Sequence, residues 1–179
     1  MMSREQTKPI IESLLFTQDK PLTLEKIEEV IPELESEEIR TIIAELMEEY
    51  RAEHRGIQVV EIANGFQMCT KKQYEQYIQK LLTRSKSKKL SKSALETLSI
   101  IAYKQPVTRV EVEALRGVES GGVIRSLLEA RFIKIGGRKN VPGRPILYKT
   151  TEDFLTYFGL KDLSELPPLH EVNQVMEQK

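Results

Sequence analysis

Two short stretches constrain this chain more than any other feature: Asp19-Lys20-Pro21-Leu22-Thr23 and Lys104-Gln105-Pro106-Val107-Thr108. Each follows a run with helical apolar spacing, and each ends in a threonine that can cap a further helix. Ile10, Ile11, Leu14 and Leu15 stripe the helix before the first, and Leu95, Leu98, Ile101 and Ala102 stripe the helix before the second. Both stretches read as turns. The same order then continues in both halves. Leu24, Ile27, Val30 and Ile31 predict a second helix that Pro32 ends, and Val112 and Leu115 predict its counterpart, closed by Gly117. Third helices follow, one capped by Ser36 and carrying Ile39, Ile42, Ile43, Leu46, Met47 and Tyr50. The other is capped by Ser120 and carries Val123, Ile124, Leu127 and Leu128. Ser93 with Glu96, and Thr108 with Glu111, have capping-box spacing.

A hairpin closes each half. In "GIQVVEIANGFQMCT", Gly56 to Thr70, Asn64-Gly65 is a strong two-residue turn signal. In the second half, Phe132–Ile135 and Pro145–Thr150 read as strands around a long loop. Tyr74, Tyr77, Ile78 and Leu81 suggest a final helix in the first half; Phe154, Leu155 and Phe158, before Gly159, suggest one in the second. Three helices and a hairpin, twice, predict a mainly α fold with small β-hairpins (α+β) in two tandem winged-helix domains. The expected divisions are 1–82 and 94–160 as the two domains, 83–93 as a basic linker, and 161–179 as a C-terminal tail.

Charge separates the halves. The chain has 27 Lys/Arg and 27 Asp/Glu, yet residues 1–82 sum to −6, 83–93 to +5, 94–160 to +3 and 161–179 to −2. An acidic first half repels a phosphate backbone. Its third helix carries Glu37, Glu38, Glu45, Glu48 and Glu49 before its C-terminal end against Arg40 alone. That helix suits contact with a protein better than contact with DNA.

The loop "GRKNVPGRPILY", Gly137 to Tyr148, gathers Arg138, Lys139 and Arg144. A phosphate-binding loop would need Lys-Ser/Thr opening a helix after its last glycine, and here a strand-like run follows. Pro142-Gly143 fits the centre of a type II turn. The basic residues fit a phosphate backbone or an acidic protein surface equally well. In the helix "SGGVIRSLLEAR", Gly121 and Gly122 fit either close backbone approach by a neighbour or tight helix packing, and Arg125 and Arg131 with Glu129 point neither to DNA nor away from it. We expect no catalytic site, metal site or cofactor. His54 and His170 lie in different halves, Cys69 reads as a packed strand residue, and the carboxylate pairs read as solvated helix faces. A lone cysteine forms no internal disulfide, and no run is long and apolar enough to span a membrane, so an intracellular chain without a membrane anchor is expected.

The runs "IIAYKQPVTRVEVEALRGVES", "GGVIRSLLEARFI", "GRKNVPGRPILY" and "FLTYFGLKDLSELPPL" closely resemble the segregation and condensation protein B (ScpB) family. "IIESLLFTQDKPLTLEKI" and "GIQVVEIANGFQMCT" extend the resemblance to roughly residues 8–169. It implies a non-enzymatic, cytoplasmic, nucleoid-associated scaffold that acts in chromosome condensation and segregation during cell division. Its expected partners are a second copy, met chiefly through the N-terminal domain, the kleisin subunit ScpA, and through it the SMC ATPase. DNA contact would be indirect or weak. The alternative is a winged-helix transcription regulator that reads DNA. Gly121, Gly122, Arg125, Arg138, Lys139 and Arg144 are the candidate partner-binding residues.

Overall fold

The computed structural model describes residues 4–82 and 90–168. Most of the basic run 83–93, the tail from Leu169 onward, and His170 therefore lie outside the described residues. The chain divides into two compact units, 1–85 and 86–179. The described residues form eight α-helices and two small antiparallel sheets, an α+β architecture.

In the first unit, α1 (Arg4–Thr17), α2 (Leu24–Val30) and α3 (Ser36–Arg51) precede a hairpin of β1 (Ile57–Ile62) and β2 (Gly65–Thr70). A 3-10 turn (Lys72–Tyr74) leads into α4 (Glu75–Leu81). The apolar stripes converge on one core: Ile11 and Leu15 from α1, Ile27 from α2, Ile39, Ile43 and Leu46 from α3, and Val59 and Phe66 from the hairpin. The predicted α3 stripe is thus spent inside its own unit. Ile39 and Ile43 are fully buried, and the outward surface left to α3 is mainly charged.

In the second unit, α5 (Lys92–Lys104), β3 (Val107–Thr108), α6 (Arg109–Arg116) and α7 (Gly121–Glu129) precede β4 (Ile133–Arg138) and β5 (Ile146–Thr150). After them come α8 (Glu152–Phe158) and a 3-10 turn (Leu163–Glu165). The strand order β3-β5-β4 places β5 in the middle. Leu98, Ile101, Val112, Ile124, Leu127, Ile133 and Phe154 fill this unit's core. At its C-terminal end the Tyr103 hydroxyl donates to the Pro167 carbonyl at 2.5 Å.

Four local expectations are corrected. The two proline stretches are more than turns: they bend at Asp19-Lys20 and at Pro106, and each then runs beside a hairpin strand. Leu22 exchanges backbone hydrogen bonds with Phe66 at 2.8 and 2.9 Å, and Val107 and Thr108 pair with Tyr148 and Leu147. The first hairpin turns at Ala63-Asn64, whose φ values are 49° and 59°, while Gly65 already pairs with Ile62 in the ladder. Gly65 is needed there for space: a Cβ would stand 2.8 Å from the Leu22 carbonyl oxygen. The N-cap of α3 is Glu35, whose N–H donates to the Glu38 carboxylate at 3.3 Å, and Ser36 instead donates to Glu28. The N-cap of α5 is Ser91, which accepts from the Ala94 N–H at 3.2 Å, so Ser93 and Glu96 are free for another task.

That task is holding Arg116. Its guanidinium donates to Ser93 Oγ at 3.0 Å, to Glu96 at 3.1 Å and to Ser120 Oγ at 3.0 Å, and its side chain is 8% exposed. One cation thereby ties the start of α5 and the start of α7 to the end of α6. Ser120 stands at the N-cap of α7 as expected, but its hydroxyl serves Arg116 and bonds no N–H of the helix. The Thr108–Glu111 capping box forms as expected.

Candidate partner-binding surfaces

The loop between β4 and β5 is built from its backbone outward. The Arg144 N–H donates to the Val141 carbonyl at 2.9 Å and closes a turn over Pro142-Gly143, with Gly143 at φ 83°. Proline fixes one φ, and glycine accepts the positive φ that follows. The Lys139 N–H donates to the Pro145 carbonyl at 2.9 Å, and the Arg138 guanidinium donates to the Arg144 carbonyl at 3.0 Å. Arg138 therefore braces its own loop.

Lys139 has an acidic partner within its own unit. Its ammonium donates to Glu111 at 2.5 Å, the glutamate that also closes the capping box of α6. The Lys139 ammonium, followed by the N–H and hydroxyl of Thr108, holds the Glu111 carboxyl down to about 2. The loop is thereby latched to α6. Arg144 makes no ion pair among the described residues, so of the three basic residues it has the freest head group.

On α7 the two glycines differ. A Cβ on Gly121 would stand 2.7 Å from the Arg109 guanidinium, so Gly121 makes room for a neighbour within its own unit. Arg109 in turn pairs with Glu113 at 2.7 Å. The Glu113 carboxyl is held below its usual range first by the Ser120 N–H, at 2.8 Å, and then by Arg109. Gly122 is exposed, and a Cβ added there would meet nothing within 4 Å, which leaves room for a partner backbone. Arg125 is exposed and pairs with Glu129 at 3.1 Å. Gly121, Gly122 and Arg125 thus share α7, while Arg138, Lys139 and Arg144 share the β4–β5 loop.

The first unit offers apolar groups that its core leaves out. Phe16 is 73% exposed, and Tyr77, Leu81 and Leu82 are also exposed. Phe16 borders a groove of about 330 Å³ lined with Glu12, Ser13, Thr17, Tyr50, Ile57 and Met68. At that groove the Tyr50 hydroxyl donates to Glu12, which raises the tyrosine pKa. In the second unit, Val110, Leu115 and Val118 are exposed at α6 and its exit, and Tyr157 packs edge-on against Phe132 and Phe158. Periodicity hid these residues, because a helix stripe marks apolar spacing without saying which members the core will accept.

Among the described residues no group of three or more His, Cys, Asp or Glu could hold a metal ion, and no helix is long and apolar enough to cross a membrane. Cys69 lies half-buried in β2, with Gln58 Nε2 3.7 Å from its sulfur.

The family model for the segregation and condensation complex subunit ScpB matches residues 9–169, spanning both units. The chain belongs to the ScpB family. The segregation and condensation protein B of Clostridioides difficile (strain 630) is 45% identical over 97% of this chain and 98% of its own. That of Clostridium tetani (strain Massachusetts / E88) is 48% identical over 95% and 89%. A crystal structure of an ScpB N-terminal domain dimer complexed with an ScpA peptide shares 38% identity over 45% of this chain and 92% of that chain, with a TM-score of 0.41.

Proposed function

We propose that this ScpB chain is a non-enzymatic scaffold subunit of a condensin-like complex, built from two winged-helix domains and acting in chromosome condensation and segregation. The observation that carries this reading is the family match across residues 9–169, which takes in the helices and hairpins of both units. In each unit three helices precede an antiparallel hairpin, and a strand piece between the first two helices pairs with the second hairpin strand. That is the order a winged helix requires.

The first domain supplies the contact with a second copy. The surface for it is the apolar set outside its core, Phe16, Tyr77, Leu81 and Leu82, in place of the inward-facing α3 stripe. The second domain contributes to the contact with the central segment of the kleisin ScpA, through which the complex reaches the SMC ATPase. Gly122 and Arg125 on α7, with Arg138, Lys139 and Arg144 at the hairpin tip, form that surface, while Gly121 seats α7 against Arg109. The working location is the cytoplasm, at the nucleoid.

Co-purification of the chain with the kleisin, with mass read by light scattering, tests the reading. A stable complex containing two copies of this chain is the expected result, and a monomer that ignores the kleisin refutes it. Calorimetry then tests the tip: R138E/R144E weakens capture of the kleisin segment, and unchanged binding by a folded variant removes those residues from the surface.

A further inference from the structure

The hairpin of the second unit carries more positive charge than its tip explains. Between Arg131 and Lys149 stand six basic residues, Arg131, Lys134, Arg138, Lys139, Arg144 and Lys149, and no Asp or Glu. Lys139 is paired with Glu111, and Arg138 is bonded to the loop backbone. Arg131, Lys134, Arg144 and Lys149 are exposed, and none is ion-paired among the described residues.

Two of these are placed against each other. Lys134 and Lys149 are register partners in the β4–β5 ladder, so both ammonium stems leave the same face of the hairpin. Like charges directly opposite weaken a strand pair. The ladder has a register irregularity just beyond them, between Ile135 and Gly137. A Cβ on Gly136 would stand 2.8 Å from Lys149 Cγ and 2.9 Å from its Cδ, so the Lys149 stem lies across the glycine. At the base of the hairpin the Thr151 hydroxyl holds the Arg131 carbonyl at 2.5 Å, and at the far end the Lys139–Glu111 pair holds the loop. Both ends of the hairpin are therefore anchored within the unit.

Exposed lysines are point charges that match phosphate oxygens without reading bases. Base-edge readout by α7 is not prepared: its first turn is Gly121-Gly122, and Arg125 is engaged by Glu129. We infer that the Lys134/Lys149 face of the β4–β5 hairpin, with Arg131 at its base, binds the phosphate backbone of duplex DNA without sequence preference. This contact is separate from the kleisin surface at the hairpin tip and goes beyond the scaffold reading.

The test uses the full chain and two fluorescently labelled DNA duplexes of unrelated sequence, with anisotropy titrations across a salt series. Both duplexes bind alike, and log K falls linearly with log salt. Each phosphate contact adds about 0.9 to that slope, so K134Q/K149Q flattens it by about 2, while K134R/K149R keeps the wild-type slope. R131Q, read separately, flattens it by about 1. Calorimetric binding of the kleisin central segment is unchanged in K134Q/K149Q. The inference is overturned by an unchanged slope in folded K134Q/K149Q, by preference for one duplex, or by loss of the kleisin segment in place of DNA. The last outcome would mark the face as a site for an acidic protein and leave the scaffold reading standing.

Discussion

Gly65 shows how one residue carries a long-range constraint. It stands in a β-ladder and is buried because β2 runs against the backbone of Leu22. In Gly65→Ala the new methyl group meets a carbonyl, which cannot rotate away as a side chain could. We expect a loss of about 1–3 kcal/mol in urea unfolding, the usual range for overpacking. Arg116 is the second such residue. Arg116→Ala strands Ser93, Ser120 and Glu96 together, and hydrogen bonds to a charged group put the loss at about 2–3 kcal/mol. Glu111 gives a pH signature. Its carboxyl titrates near 2 in the fold against an ordinary 4.5, so the folded state favours its charged form. That stabilisation is complete above 4.5 and is lost as pH falls toward 2. Lys139→Met removes the largest cause of the shift. Its drop in melting temperature between about pH 5 and about pH 3 is therefore smaller than that of the wild type, as differential scanning calorimetry would show.

The hairpins and caps show where local sequence signals compete. Asn64-Gly65 is a strong turn signal, yet the chain turns one residue earlier. With the turn at Ala63-Asn64, Phe66 pairs across from Glu61 and exchanges backbone hydrogen bonds with Leu22, which seats Gly65 against the Leu22 carbonyl. A turn one residue later would leave each side chain on its face but give every one a different cross-strand partner. The cost is two left-handed residues without glycine, Ala63 and Asn64. Asn64→Val, which puts a β-branched residue at φ 59°, should lower stability by about 1–2 kcal/mol in chemical denaturation. The displaced caps follow a similar logic. Ser93 and Glu96 have capping-box spacing, but a buried guanidinium needs oxygen acceptors, and Ser91 serves α5 as well. The helices themselves were legible because their apolar spacing is regular. Their exact starts were not, because several polar residues near each start compete for the cap.

For the molecule as a whole, the repeated order of elements was legible from two proline stretches and two hairpins. The candidate surfaces were legible only in part. Arg138, Lys139 and Arg144 stood out as a basic cluster, but the sequence does not show that Lys139 already faces Glu111, 28 residues away. Nor does it show that the α3 stripe turns inward while Phe16 stays outside. The copy-to-copy reading yields a direct check. Phe16→Ser, combined with Leu81→Ser, should shift the light-scattering mass from dimer toward monomer while the far-ultraviolet circular dichroism of the folded chain stays the same, since both side chains lie outside the core.

The amino-acid sequence by itself determined the helical stripes, the hairpin strands, the Pro142-Gly143 turn and the family, because each rests on residue types at short, regular spacing. Tertiary structure decided which polar residues are spent internally. Lys139 on Glu111, Arg116 among two serines and Glu96, and Gly121 beneath Arg109 are pairings across distant elements. Tertiary structure also decided which cations remain unpaired on one face, since Lys134 and Lys149 become neighbours only through strand register. The physical reason is range: spacing along a chain fixes what a segment forms, while charge and space are shared out only when segments meet.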